Sequence, residues 1–285
     1  MNRIDRRTLL AGAAATAGAF LLPGFQDDKK IVKNGRLKQS VSRWCYGKIP
    51  FPDFCKAVAE MGLTAIDLLK TEDWEKVREY GLICSMGTPE GGGIVDGMND
   101  KKNHERILKG LEKALPIAAK HGVPNVIAMF GNRKGISDEV ATENCIEALN
   151  KIKALAEEQK VMIAVEVLNS KIDHKDYQGD RSPFAFNIIK AVNSPYVKIL
   201  FDIYHMQIME GDIIRTIKAN IGSICHFHTG GVPGRHELDD TQELNWRTVA
   251  KAIVDAGFKG YMAHEFVPTR DPLSSLREAV TLCDV

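Results

Sequence analysis

Four ionisable residues stand where apolar segments should tolerate none. Glu166 lies in Ala-Val-Glu-Val-Leu-Asn, Asp202 in Ile-Leu-Phe-Asp-Ile-Tyr-His, His228 closes Cys-His-Phe-His, and Glu265 lies in Met-Ala-His-Glu-Phe. A charge inside an apolar strand is costly unless it is paired or bound to a metal ion. Three carboxylates and an imidazole make a hard, oxygen-rich donor set, suited to one divalent ion: Mn²⁺ or Mg²⁺ first, with Zn²⁺ or Co²⁺ as alternatives. The competing explanation is that each acid makes its own salt bridge at a rim. Four such residues near the ends of successive apolar runs favour a shared site over four separate bridges. His205, three residues past Asp202, is placed to reach a substrate or a second ion. His226 lies on the face of His228 but one layer deeper, and His264 should face away if Glu265 faces inward. His104 and His121 fall on a helical pattern and read as solvated surface.

The elements that must position these residues follow from the alternation of short and long runs. Apolar runs at Ser40–Tyr46, Thr64–Leu69, Leu82–Gly87, Asn125–Phe130, Met162–Leu168, Val197–Tyr204, Ser223–His228 and Gly260–Phe266 have the length and composition of strands buried on both faces. Helical patterns separate or follow them at Phe51–Met61, Asp73–Tyr80, His104–His121, Ser137–Gln159, Pro183–Val192, Asp212–Ile221, Trp246–Ala256 and Leu276–Cys283. Ser137-Asp138-Glu139 supplies a cap and a first turn of acids. Gly62, Gly81, Gly122 and Gly257 stand where left-handed carboxyl caps want glycine. Such alternation over about 250 residues predicts a single-domain α/β protein, a (β/α)8 TIM barrel. An open doubly wound sheet is the competitor, but no glycine-rich phosphate fingerprint follows the first strand. In a barrel the carboxyl ends of the strands meet at one mouth, so Glu166 and Glu265 can converge although about 100 residues separate them.

At these residues the chain resembles the hydroxypyruvate isomerase-like group of the xylose isomerase-like TIM-barrel superfamily. The pieces that carry the likeness are Glu166-Val-Leu-Asn-Ser, Asp202-Ile-Tyr-His205 and the run from His226 through Val-Pro-Gly-Arg-His to Glu237. The resemblance implies that Glu166, Asp202, His228 and Glu265 hold one divalent metal, with Glu166 and Glu265 as the acid–base pair. It also implies a small hydroxy-carbonyl or sugar substrate, bound by His205, Arg235, Asn169 and Glu237. Hydroxypyruvate isomerases usually have glutamine where this chain has His228; ketose 3-epimerases of the superfamily have histidine there.

Several activities share such a site. Isomerisation or epimerisation moves a proton next to a carbonyl, with one glutamate removing it and the other returning it. An inosose dehydratase-like lyase starts with the same abstraction and then expels a hydroxyl. An endonuclease IV-like phosphodiesterase needs further ligands, but the second and third strands offer no histidine and Leu238–Leu244 contains no Asp-x-His pair. A non-catalytic sugar-binding protein would not need a base on each side of its ligand. The glycines of Gly87–Gly93 suggest a lid or a close approach to substrate.

Composition sets the outer bounds. The 285 residues carry a formal charge of +1, with 44% hydrophobic and 26% charged residues. That is ordinary for a globular enzyme and gives no electrostatic pull toward nucleic acid. Arg6 and Arg7 precede an apolar run from Leu9 to Leu22 that is short for a bilayer span and rich in small residues. The pattern resembles a twin-arginine export signal, so residues 1–30 are expected to be signal and linker and 31–285 the barrel. An amino-terminal helix packed on the domain is the alternative. On the first reading the protein is periplasmic or otherwise exported; without signal use it is cytoplasmic. No stable membrane anchor is expected, and homo-oligomerisation stays open. The six cysteines are scattered, which favours free buried thiols over disulfides.

Overall fold

The structure, a computed structural model, describes residues 30–285. The expected export signal falls almost wholly on residues 1–29, outside the described residues. Among those described, eight strands pair in sequence order, all parallel, and close into a barrel. They are β1 (Lys38–Ser42), β2 (Ala65–Lys70), β3 (Ile83–Thr88), β4 (Asn125–Met129), β5 (Met162–Glu166), β6 (Val197–Asp202), β7 (Ile224–Thr229) and β8 (Tyr261–His264). The helices are α1 (Phe51–Met61), α2 (His104–His121), α3 (Asp138–Gln159), α4 (Ser182–Val192), α5 (Ile203–Met209), α6 (Ile213–Asn220), α7 (Trp246–Asp255) and α8 (Pro272–Cys283). The chain is a (β/α)8 TIM barrel, as the alternation predicts.

The strands read as unbroken apolar runs because both faces are covered. All six residues of β7 are buried. Outward Phe227 packs edge-on against Phe201 of β6 and Phe258, which leaves His226 and His228 on the inner face. Ser137 caps α3, its hydroxyl accepting from the Val140 amide, with Asp138 and Glu139 in the first turn. The four carboxyl-cap glycines all adopt positive φ; at Gly62 (φ +89°) the amide closes onto Ala59 O.

Four local expectations need correcting. Asp73–Tyr80 forms no α-helix but the 3₁₀ turns Thr71–Asp73 and Lys76–Tyr80. The connection there is organised by Trp74, which is fully buried, donates from Nε1 to Leu69 O, and packs so tightly on β3 that a Cβ on Gly87 would lie 2.3 Å from its ring. The sixth strand stops at Asp202 instead of Tyr204. The Asp202 carboxylate caps α5 by accepting from the His205 amide at 3.0 Å, and that converts Ile203–Met209 to helix. His104 is not solvated: it is 5% exposed, with Nε2 2.9 Å from Met98 O, because the start of α2 clamps the preceding loop to the barrel. His121 is half-buried.

In the β3–α2 loop Gly91 serves close packing within the chain, whereas Gly93 has open space around it. A Cβ at Gly91 would meet Arg106 O at 2.2 Å, and Glu90 O sits 1.8 Å from where a Cβ on Gly110 would lie. Further along, Met98 and Asn99 bond to the backbone of Met129 and Phe130. All six cysteines are free. No helix among the described residues is long and apolar enough to cross a membrane.

Candidate active site

Strand ends bring the four sequence-flagged residues to one point. Glu166 and Asp202 are the last residues of β5 and β6, His228 is the penultimate residue of β7, and Glu265 follows β8 directly. Their exposures are 5%, 0%, 0% and 3%. One ligand atom from each lies within 4.8 Å of all the others. His228 Nδ1 stands at the centre, 3.1 Å from Glu166 Oε1, 2.7 Å from Glu265 Oε2 and 3.7 Å from Asp202 Oδ2.

Three buried carboxylates face one neighbouring guanidinium, that of Arg235, whose Nη2 lies 2.6 Å from Glu265 Oε2 and 3.4 Å from Asp202 Oδ2. With all three acids ionised they outnumber Arg235 by two charges, the charge of a divalent ion. Without such an ion, His228 takes up part of that excess: burial acts to lower it, but Glu265, Asp202, Asp67 and Glu166 outweigh burial and lift it well above its ordinary value. Burial lifts the Glu166 carboxyl to about 7, His228 opposing and the acids of Glu265 and Asp202 adding to the rise. Burial also acts to raise Glu265, but Arg235 and His228 outweigh it and hold that carboxyl well below its usual range. His228 Nδ1 is buried and has no hydrogen bond of good geometry, despite the oxygens around it. An orphaned imidazole nitrogen among three carboxylates is a donor set that fits a divalent metal.

His205 is oriented by Asn169. The Asn169 side-chain oxygen accepts from the Ile172 and Asp173 amides, which fixes the amide's direction. Its nitrogen then lies 2.6 Å from His205 Nδ1 and 2.6 Å from Asp173 Oδ2. Because an amide NH₂ only donates, Nδ1 accepts, and the proton of the neutral ring sits on Nε2. Burial depresses His205 to about 4, with Arg235 and His174 assisting and Asp202 opposing, so the ring is neutral at pH 7. Nε2 is buried without a hydrogen-bond partner, 3.6 Å from Asp202 Oδ2.

Arg235 adopts φ +58° in the loop after β7, and its guanidinium sits between the rings of Trp44 (5.4 Å) and Tyr204 (5.1 Å). Glu237, expected beside the substrate, lies elsewhere. Its carboxylate accepts from the Thr269 amide and hydroxyl and from the Ser275 hydroxyl, tying the β7 loop to the segment after β8. The Asn169 amide is likewise committed within the chain. His264 meets Gln39 Oε1 at 2.8 Å, away from the cluster.

Two residues escaped the sequence reading. Trp44, half-exposed at 50%, donates from Nε1 to Glu265 Oε1 at 2.6 Å. The strand pattern through Tyr46 hid it, since the chain turns at Arg43. Asp67 of β2 is fully buried, with Oδ2 2.9 Å from His228 Nε2 and Oδ1 3.1 Å from His226 Nε2. An acid inside Ala-Ile-Asp-Leu-Leu meets the same criterion that flagged the other four, and that signal could have found it.

Comparison with known proteins adds the following. Residues 55–283 match the family described as xylose isomerase-like TIM barrel. A Homo sapiens protein provisionally named hydroxypyruvate isomerase is 29% identical over 240 residues, which covers 82% of this chain and 80% of that one. Among solved structures, an AP endonuclease of family 2 from Brucella melitensis superposes with a TM-score of 0.76 at 23% identity, covering 84% of this chain and 97% of the other. A 3-keto-D-glucoside 4-epimerase from E. coli gives a TM-score of 0.73 at 18% identity, covering 87% and 98%.

Proposed function

The chain belongs to the xylose isomerase-like TIM barrel family, and on that footing we propose that it is a divalent-metal-dependent isomerase or epimerase of a small hydroxy-carbonyl compound or sugar. The observation that carries this reading is the buried convergence of Glu166, Asp202, His228 and Glu265. The name of the human relative points the same way.

A divalent ion held by these four residues, Mn²⁺ or Mg²⁺ by preference, would supply positive charge where the substrate oxygens become negative as a neighbouring carbon loses its proton. The chain's own groups do the rest. Glu166 and Glu265 approach from different strands and form the acid–base pair, one removing the proton from carbon and the other delivering a proton to the adjacent carbon or the opposite face. His205 presents its Nε2–H to a substrate oxygen, and Arg235, beside Glu265, offers donors to a second. Trp44 and Tyr204 flank that guanidinium and wall the site.

The likeness to the Brucella melitensis endonuclease is one of fold. Phosphodiester cleavage is the weaker reading, since β2 and β3 carry no histidine. Dehydration of an inosose would begin with the same abstraction and is told apart by its product.

The test is a panel of hydroxypyruvate, tartronate semialdehyde, ketohexoses and inosose in deuterated water, with and without Mn²⁺ or Mg²⁺. Metal-dependent solvent deuterium on carbon in recovered substrate or product is the expected result. Its absence across the panel, with ion binding intact, counts against proton transfer. Export by the Arg6-Arg7 segment belongs to the same proposal and is checked by cell fractionation.

A further inference from the structure

Behind the His228 ring, on the side away from the other acids, lies a buried polar group that the proposed chemistry does not use. Asp67, His226, Ser85 and Ser40 are all fully buried on the inner faces of β1, β2, β3 and β7. Asp67 Oδ2 is 2.9 Å from His228 Nε2. Its Oδ1 accepts from the Ser85 hydroxyl at 2.5 Å and lies 3.1 Å from His226 Nε2, while Ser40 Oγ backs Ser85 at 3.0 Å.

We infer that Asp67 is a positioning residue: by accepting the Nε2–H of His228 it leaves the Nδ1 lone pair directed at the Glu166–Asp202–Glu265 cluster, ready to bind a divalent ion. The inference rests on the metal-site reading proposed above. An ionised carboxylate can only accept, so the nitrogen beside it must donate. With an ion at Nδ1 in place of any proton that the nearby Glu265 and Glu166 carboxylates would draw there, the imidazole is neutral and has one N–H, and Asp67 holds that N–H at Nε2. Full burial keeps water from replacing the carboxylate.

The same residues could instead be read as a second metal site, since Asp67, His226 and His228 also bring ligand atoms close together. The distances argue against it. His228 Nε2 already sits at hydrogen-bond length from one Asp67 oxygen and Ser85 donates to the other, while His226 Nε2, 3.1 Å from that second oxygen, makes no hydrogen bond. An ion in that position would have to displace these contacts.

The experiment compares Mn²⁺ binding by the wild-type chain, D67N and S85A, using calorimetry and metal analysis. An asparagine amide can turn its NH₂ toward Nε2 and force the His228 proton onto Nδ1. D67N is therefore expected to bind Mn²⁺ about 10- to 100-fold more weakly, as other outer-sphere partners of metal-binding histidines do. S85A, which retains the carboxylate, is expected to stay near wild type. A general loosening of the interior would weaken both. Nitrogen-15 imidazole spectra of the Zn²⁺-loaded wild type should show the His228 proton on Nε2, and this measurement decides the matter if D67N does not fold. Equal affinity in D67N, a proton on Nδ1, or two ions per wild-type chain would each overturn the inference alone. A wild type that binds no divalent ion would remove the metal-site reading, and this inference with it.

Discussion

Arg235 grips Glu265 at two points: Nη2 lies 2.6 Å from Oε2, and Nε donates to the Glu265 carbonyl oxygen at 3.2 Å. One side chain from the β7 loop thus fixes both the carboxylate and the backbone of a proposed acid–base residue. The planar guanidinium is itself held between Trp44 and Tyr204. An ammonium matches the charge but neither the fork nor the stacking. Arg235→Lys should therefore lower kcat about 10- to 100-fold through misplacement of Glu265, with an unchanged far-ultraviolet circular dichroism spectrum.

Glu166→Gln keeps the shape of the side chain and removes the base. Turnover should fall about 10²- to 10⁴-fold, the range for loss of a general base. Solvent deuterium incorporation should fall with it, while the thermal midpoint stays close to wild type. Unchanged exchange in this variant would remove Glu166 from the mechanism.

Asn169 acts on substrate through His205. Asn169→Asp replaces the donor facing Nδ1 by an acceptor, which draws the ring proton to Nδ1 and strips Nε2 of its hydrogen. The expected result is a lower kcat/KM for a substrate whose oxygen His205 contacts, and a larger loss than in Asn169→Ala. The reverse order would show that Asn169 does no more than hold its loop.

Glu237 makes an acid-stability prediction. Burial pushes its carboxyl up, but the hydrogen bonds it receives, from the Thr269 amide and the Thr269 and Ser275 hydroxyls among others, outweigh that and hold it at about 2, below the ordinary 4.5. A carboxyl depressed in the folded state stabilises the fold above its unfolded value and loses that contribution as pH falls toward the folded value. Glu237→Gln should be less stable than wild type at pH 7, and the gap should close between about pH 4.5 and 2. Urea unfolding midpoints across that range test it.

Much of the barrel can be read from local pattern. Strands buried on both faces have the composition of β6 and β7, and a charge in such a run is conspicuous because burial makes it expensive. That reasoning finds Glu166, Asp202, His228 and Glu265, and applied evenly it would also have found Asp67. It fails where one residue changes the local geometry. Asp202 is both strand end and helix cap, and Trp74 dictates turns where an amphipathic helix is expected.

The alternation of elements and the three acids and imidazole that share a mouth are legible in the chain, since they follow from periodicity and the cost of buried charge. Which atoms meet is set by the closed barrel. Asp67 reaches His228 across 161 residues and Trp44 reaches Glu265 across 221. Glu237 turns to the segment after β8, and Asn169 to His205. Such pairings depend on barrel closure and on side-chain directions at the ends of strands, and no local pattern encodes either one.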